Sequence, residues 1–404
     1  MNWLASDNSI PVLQQNLRHL RVFLAVVETG SVTRAAELCH VSQPAVTQAL
    51  SKIERSIGIS LFDRTTQGLF SNRAGQQLAT RVRRAFGYLD PALIDLSPRL
   101  RITATSAQLQ ALVAVREAEN FTLAARRLGL AQPTVHRAVS QLEQEAARPL
   151  FERTSYGIVA TRPAQALAQA ARLSFAELAQ AEADLADLTR AEAGRIVIGS
   201  LPLSRSYMLP KTISRFRKLR PNLPIHIMEG RYADLLQGLR RGEIDFLIGA
   251  LRDPVPIGDV EQEELFSDTV VIVAGLNHPL VGRSDITLDE LAFCPWIVAQ
   301  AGTPTRKHFN ELFASLGNRA PRSIVESGSL ILMRELLDES DHLGCVSYLQ
   351  AKAEIARGLM TALDIDLSHT SRPIGLTFRH GWMPTIAQQQ FLDLLRDVRP
   401  GRDR

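Results

Sequence analysis

The sequence predicts two small, mainly helical units in tandem, a long connecting helix, and a two-lobed α/β body. Three observations predict this. Residues 17–73 and 106–162 agree at 19 of 57 positions when aligned without gaps at a shift of 89. An unbroken stretch without Gly or Pro runs from 164 to 193. From Arg195 onward, short β-branched runs alternate with amphipathic stretches. A match of one in three over 57 positions is an internal duplication, and a duplication is settled before other features.

Composition bounds the rest. The chain has 404 residues, of which 45% are hydrophobic and 22% charged, as expected of a globular protein of several domains. No apolar run is long enough to cross a bilayer. The start "MNWLASDNSI" has neither the basic nor the apolar segment of a signal peptide. Cys39, Cys294 and Cys345 are few, odd in number and far apart, which fits no metal spacing and suits a reducing cytoplasm. Residues 1–165 carry 19 Lys/Arg against 12 Asp/Glu, a net of +7, and the remainder 27 against 30, a net of −3. A basic front on a mildly acidic body points to a polyanionic partner.

Each copy of the repeat reads in the same order. Leu20, Phe23, Leu24 and Val27, and in the second copy Leu109, Leu112 and Val113, have the spacing of a helix with one buried face. Thr33 and Thr122 stand where an N-cap is expected, ahead of Ala35-Ala36 and Ala124-Ala125. Pro44 and Pro133 fit the first turn of a further helix, where a missing N–H costs nothing. "LFDRTTQGLFSNRAG" and "LFERTSYGIVATRPA" then read as hairpins around a Gly. Two helices at a steep angle followed by a hairpin form a winged helix-turn-helix, whose second helix enters a DNA major groove. The residues expected at the DNA are Ser42, Gln43, Pro44, Thr47 and Gln48, and Gln132, Pro133, Thr134, His136 and Arg137. Arg64, Arg73, Arg153 and Arg162 flank the hairpins and are expected at phosphates.

The stretch after the second hairpin, "AQALAQAARLSFAELAQAEADLADLTRAEA", is rich in strong helix formers. Ala171, Leu178 and Leu185 recur every seven residues, with Ala181 and Leu188 between, as in a helix-pairing seam. The corresponding segment after the first hairpin, 74–104, reads as helical to about Tyr88 and broken at Pro91 and Pro98.

In the body the expected strands are "RIVIGS", "PIHIMEG", "DFLIGA", "TVVIVAG", "PWIVAQ", "RSIVES", "LGCVS" and "PIGLTFR". Their alternation with helical stretches predicts largely parallel sheets, with ligands beyond the carboxyl ends of the strands. Residues expected there are Ser200, Ser204, Arg231, Tyr232, Gly302, Thr303, Thr305 and Ser327. Arg231 can hold a carboxylate or pair with Asp234 on the surface, and the surface pairing is favoured. There is no Gly-rich nucleotide loop, no Gly-x-Ser-x-Gly and no His-Glu-x-x-His, so no catalytic residues, cofactor or metal are expected and the chain is not read as an enzyme.

"GSVTRAAELCHVSQPAVTQALSKIERSIGISLFDRT" resembles the N-terminal domain of LysR-type transcriptional regulators, and the second copy resembles the same domain in more diverged form. Many members have Ser-Arg where this chain has Thr47-Gln48 and His136-Arg137, which leaves the base preference of both copies open. "GRIVIGSLPLSRSYMLPKTISRFRKLRPNLPIHIMEG" and "LRRGEIDFLIGAL" resemble the family's effector-binding domain, which is similar to periplasmic solute-binding proteins. "GALRDPVPIGDV", "AGTPTRKHF", "SGSLILMRELLDES" and "RPIGLTFRHG" are similar to the branch named for a galactose-binding-protein regulator, which implies a sugar or organic-acid effector.

The resulting domain plan is a first winged helix-turn-helix at 15–75, a helical connector at 76–104, a second winged helix-turn-helix at 105–163, a linker helix at 164–194 and an effector domain at 195–404. Lobe I is expected at about 195–270 and 376–404, and lobe II at 271–375. The resemblance implies that the linker helix joins two subunits. The partners expected are double-stranded DNA, a small-molecule effector, further copies of the chain as homodimer or homotetramer, and RNA polymerase, with no membrane. The alternatives are that one repeat copy is degenerate and serves protein–protein contact, or that the cysteines make a thiol redox sensor.

Overall fold

The computed structural model describes residues 11–65, 68–155, 157–189 and 192–398. The chain divides into two compact units, 1–195 and 196–404.

The first unit opens with a 3₁₀ turn at Val12–Gln14. The first head follows as α1 (Leu17–Thr29), α2 (Val32–Leu38), α3 (Gln43–Ile57), β1 (Phe62–Thr65) and β2 (Gly68–Ser71). It leads directly into α4 (Arg73–Leu96) and the short α5 (Leu100–Thr103). The second head repeats the order as α6 (Ser106–Ala118), α7 (Phe121–Leu128), α8 (Gln132–Ala146), β3 (Phe151–Thr154) and β4 (Gly157–Ala160), and leads into α9 (Arg162–Leu188). Both hairpins are antiparallel and in the same register, Phe62 opposite Ser71 and Phe151 opposite Ala160.

The caps differ from the expectation. Ser31 and Asn120, not Thr33 and Thr122, accept the orphan N–H groups of Arg34 and Leu123. The two threonines sit two residues later, inside the first turn.

α4 also differs from the expectation, because it continues through Pro91 to Leu96. A proline inside a helix costs about 3 kcal/mol. Pro91 and Gly87, whose carbonyl loses its bond, are both exposed, so water satisfies that carbonyl. Leu89, Leu93 and Leu96 are buried on either side, and Asp90 is held by Arg21 and Arg101. Packing therefore carries the helix past the proline, and it ends where the residue before Pro98 leaves the helical region.

α4 and α9 pack along their length. Leu78, Val82, Ala85 and Leu89 of α4 share one core with Ala171, Leu178, Ala181 and Leu185 of α9. The seam that the sequence assigns to a second subunit is thus occupied by a helix of the same chain. Arg81 reaches Asp184 while Arg84 reaches Glu177, so numbering rises on one helix as it falls on the other and the pair is antiparallel. The residues before α1 strap the pair: Leu13 N–H donates to Glu182 Oε1 (2.5 Å) and Gln14 Nε2 to the Phe175 carbonyl (2.9 Å).

The second unit has two sheets of five strands. Its elements are β5 (Ile196–Ser200), α10 (Leu209–Leu219), β6 (Ile225–Glu229), α11 (Tyr232–Arg240), β7 (Phe246–Ala250), β8 (Val260–Asp268), β9 (Val270–Ala274), α12 (Leu288–Phe293), β10 (Trp296–Val298), α13 (Pro304–Leu312), β11 (Ile324–Glu326), α14 (Leu330–Glu339), β12 (Leu343–Ser347), α15 (Tyr348–Ala356), β13 (Thr361–Ala362), β14 (Arg372–Arg379) and α16 (Ile386–Arg396). Strand order is β6-β5-β7-β14-β8 in lobe I and β11-β10-β12-β9-β13 in lobe II.

The sheets are mixed rather than largely parallel. β5 pairs in parallel with β6 and β7, and β10 with β11 and β12. The remaining pairings are antiparallel, because the strands that carry the chain between lobes run back along each sheet. All eight expected strands form, and β8 and β13 are additional. The chain crosses at Asp268–Val270 and returns at Thr370–Arg372, so β14 belongs to lobe I from Arg372 rather than from 376.

Candidate functional sites

The two heads present equivalent faces. Gln43, Pro44, Thr47 and Gln48 of α3 are exposed, as are Gln132, Pro133, Thr134, His136 and Arg137 of α8. The reason is local. Val46, Ala49, Leu50 and Ile53 turn one side of α3 into the head, and Val135, Val139 and Leu142 do the same for α8. The opposite sides face solvent with amides, hydroxyls and a guanidinium, groups able to read base edges.

The helix starts differ. Ser42 caps α3 by accepting from Ala45 N–H, whereas Ala131 offers α8 no side chain to cap with. The His136 ring lies 5.2 Å from that of Phe121, which steadies it on the surface. Arg73, Arg153 and Arg162 are exposed at the hairpins and the adjoining helix starts. Arg64 lies on β1 opposite Leu69, and its side chain is outside the described residues.

Behind these faces lies a buried polar cluster that the sequence reading missed. Arg81 donates from Nε to Asp184 Oδ2 (2.8 Å), and from Nη1 to Glu177 Oε2 (3.1 Å) and Gln180 Oε1 (2.9 Å). Arg84 donates to Glu177 Oε1 (2.8 Å). An Arg with two carboxylates among apolar heptads was the available signal.

In the second unit a cavity of about 100 Å³ lies between the lobes, lined mostly by apolar atoms. A single buried water needs roughly 10–15 Å³, so the space suits a small molecule. Lobe II contributes Thr303, Ser329 and Ser347, which are the N-caps of α13, α14 and α15. The positive ends of three helices therefore turn toward one space. At α15 the Asp268 carboxylate already accepts from Leu349 N–H (3.2 Å) and from the Ser347 hydroxyl.

Arg372 and Arg252 bring cations to the same cavity. Arg372 is only 8% exposed. Its Nη2 donates to Thr305 Oγ1 (3.3 Å) and lies 3.8 Å from Asp268 Oδ2, while its Nε and Nη1 have no partner. Arg252 rests on the Tyr232 ring, 4.4 Å from its centroid. Burial pushes both guanidiniums below their ordinary pKa, with Asp268 opposing the shift at Arg372. Burial likewise pushes Asp268 up, against its Ser347 bond and Arg372.

Of the residues expected here, Thr303, Thr305 and Ser327 line the cavity. Ser200 and Ser204 do not, because their hydroxyls bond each other (2.8 Å) inside lobe I. Arg231 is exposed and paired with Asp234 at 2.8 Å. Gly302 precedes the cap without lining the cavity, and Tyr232 acts only through Arg252. Arg372 was missed because a residue opening a strand carries no sequence signal of facing a cleft.

Helix-turn-helix heads on the same chain as a two-lobed α/β body with a cleft define a class, the ligand-responsive DNA-binding regulators. The profile "Bacterial regulatory helix-turn-helix protein, lysR family" matches residues 17–76 and again 106–165, and "LysR substrate binding domain" matches 189–400. The HTH-type transcriptional regulator GalR of Pseudomonas putida is 34% identical over 392 residues, 96% of this chain and 98% of the relative. PcaQ of Agrobacterium fabrum is 28% identical over 94% of both chains. Full-length OxyR from Pseudomonas aeruginosa, a variant, superposes with a TM-score of 0.52 at 22% identity, covering 72% of this chain and 98% of that one. CbnR, a LysR family transcriptional regulator, gives 0.51 at 18%, with 72% and 99% covered. The chain belongs to the LysR family of transcriptional regulators, with helix-turn-helix DNA-binding and effector-binding parts.

Proposed function

We propose that both heads of this regulator bind promoter DNA and that a small organic acid, held between the lobes, controls the binding. The observation that carries the first part is the pair of equivalent exposed faces on α3 and α8, in the part of the chain with a net charge of +7. CbnR, a relative in fold, has been solved in complex with its target DNA.

The choice of an acid over a neutral sugar rests on Arg372. A guanidinium almost wholly out of water with two nitrogens unpaired favours a carboxylate, which satisfies both in a fork. Arg252 and the α13 and α14 N-termini add positive potential, and the apolar walls accept a hydrocarbon body. The crossovers at Asp268–Val270 and Thr370–Arg372 lie at this site, so an acid bound to Arg372 pulls on the hinge between lobes. The reading places the protein in the cytoplasm, on DNA, with no catalysis.

The test is thermal unfolding of the full chain with a panel of small carboxylic acids and neutral sugars. Stabilisation by an acid, absent in Arg252→Met, supports the assignment. Stabilisation by sugars alone removes it.

A further inference from the structure

The α4–α9 pair is chemically one-sided. Arg81 lies on α4, and its acceptors Glu177, Gln180 and Asp184 lie on α9. At the repeat shift of 89 the counterpart of Arg81 is Ala170, and the counterparts of Glu177, Gln180 and Asp184 are Tyr88, Pro91 and Asp95. Two copies of α9 laid together would bury Glu177 and Asp184 without an arginine. Two copies of α4 would bury Arg81 without a carboxylate. Both are the arrangement in which a buried charge lacks its partner, which is strongly disfavoured. The seam therefore selects one head of each kind.

The heads are unlike where they face outward. Thr47-Gln48 stand against His136-Arg137, Ala45 against Thr134, and Lys52 against Gln141. Each head precedes the N-terminus of its long helix, and the helices are antiparallel, so the heads sit at opposite ends of the pair. Helices of 24 and 27 residues span about 36–40 Å at 1.5 Å per residue. One turn of B-DNA separates equivalent major-groove positions by about 34–36 Å.

We infer that one chain is a complete two-headed reading unit whose operator is an inverted pair of unlike half-sites about one helical turn apart, bound in a single orientation. His136 and Arg137 specify one half-site, and Thr47 and Gln48 the other. The inference rests on the DNA-binding reading above.

The test is selection of random duplex DNA by the full chain, run in parallel with a His136→Thr, Arg137→Gln variant that gives the second head the exposed pair of the first. Both substitutions lie on an exposed face and leave the head's core untouched. The wild type is expected to enrich two different half-sites, inverted, about one turn apart. The variant is expected to change one of them toward the other, and to gain roughly tenfold in preference for a duplex carrying two copies of the unchanged half-site. Identical half-sites in the wild type, a single half-site, or a variant that changes neither would overturn the inference while leaving DNA binding in place. No enrichment at all would overturn both.

Discussion

Arg81 Nε meets Asp184 Oδ2 at 2.8 Å, with 103 residues of chain between them and both side chains almost wholly out of solvent. The bond joins the long helix of one head to that of the other and ties the whole first unit together. Removing one partner of such a cluster leaves uncompensated buried charge, at a cost of about 3–5 kcal/mol. Arg81→Met is therefore expected to lower the denaturant midpoint of the first unit sharply. The triple replacement Arg81→Met, Glu177→Leu, Asp184→Leu is expected to recover most of that loss. Equal destabilisation by the single and triple variants would show that the cluster acts by something other than charge pairing.

The base-reading and phosphate-contacting residues separate by their salt dependence. Arg137→Ala is expected to weaken specific binding by about 1–3 kcal/mol and to relax preference at one base pair. Arg153→Ala and Arg162→Ala are expected to weaken binding to all sequences alike, each lowering the slope of log K against log salt by about 1. Titrations at several salt concentrations check both patterns.

The second head carries backbone strain that the first avoids. α3 ends on Gly58 with φ +73°, whereas α8 ends on Ala147 with φ +51°, a left-handed conformation that costs a residue with a Cβ about 1–2 kcal/mol. Ala147→Gly is expected to stabilise the protein by about 1 kcal/mol in chemical unfolding. A loss of stability would mean that the Ala147 methyl packs more favourably than the strain costs.

The cysteines answer to pH in a defined way. Burial pushes the Cys345 thiol up to about 12, and raises Cys39 and Cys294 as well. The thiolate is the reactive form, so at pH 7–8 Cys345 stays protonated and inert. Iodoacetamide is expected to leave Cys345 unmodified in the native chain up to about pH 9 and to modify it once the chain is unfolded. Rapid native modification, or DNA binding that changes with oxidant, would revive the redox-sensor alternative.

Much of this structure was legible because local patterns agree with the packing. The apolar spacing in α1, α3, α6 and α8, the Gly-centred hairpins and eight strands of the body all follow from periodicity. β8 was not legible because its sequence, VEQEELFSD, is that of a polar edge strand with most side chains toward water. The run through Pro91 depends on which face of α4 is wet, and the partner of the α9 seam on a helix nearly a hundred residues earlier. Arg372 lines the cleft only because β14 begins at the crossover, a consequence of topology rather than of its neighbours. Ser200 and Ser204 show the converse: hydroxyls after a strand suggest a ligand site, yet here they satisfy each other.

The central claim is that both heads of one chain read DNA. It is tested most directly by footprinting the full chain on its own upstream region beside two variants, one with Gln43, Thr47 and Gln48 changed to Ala and one with Gln132, His136 and Arg137 changed to Ala. The account predicts that each variant loses protection over a different half-site while the other half-site stays at least partly protected. A variant whose footprint and affinity match the wild type would contradict it, and would assign that head to contact with another protein.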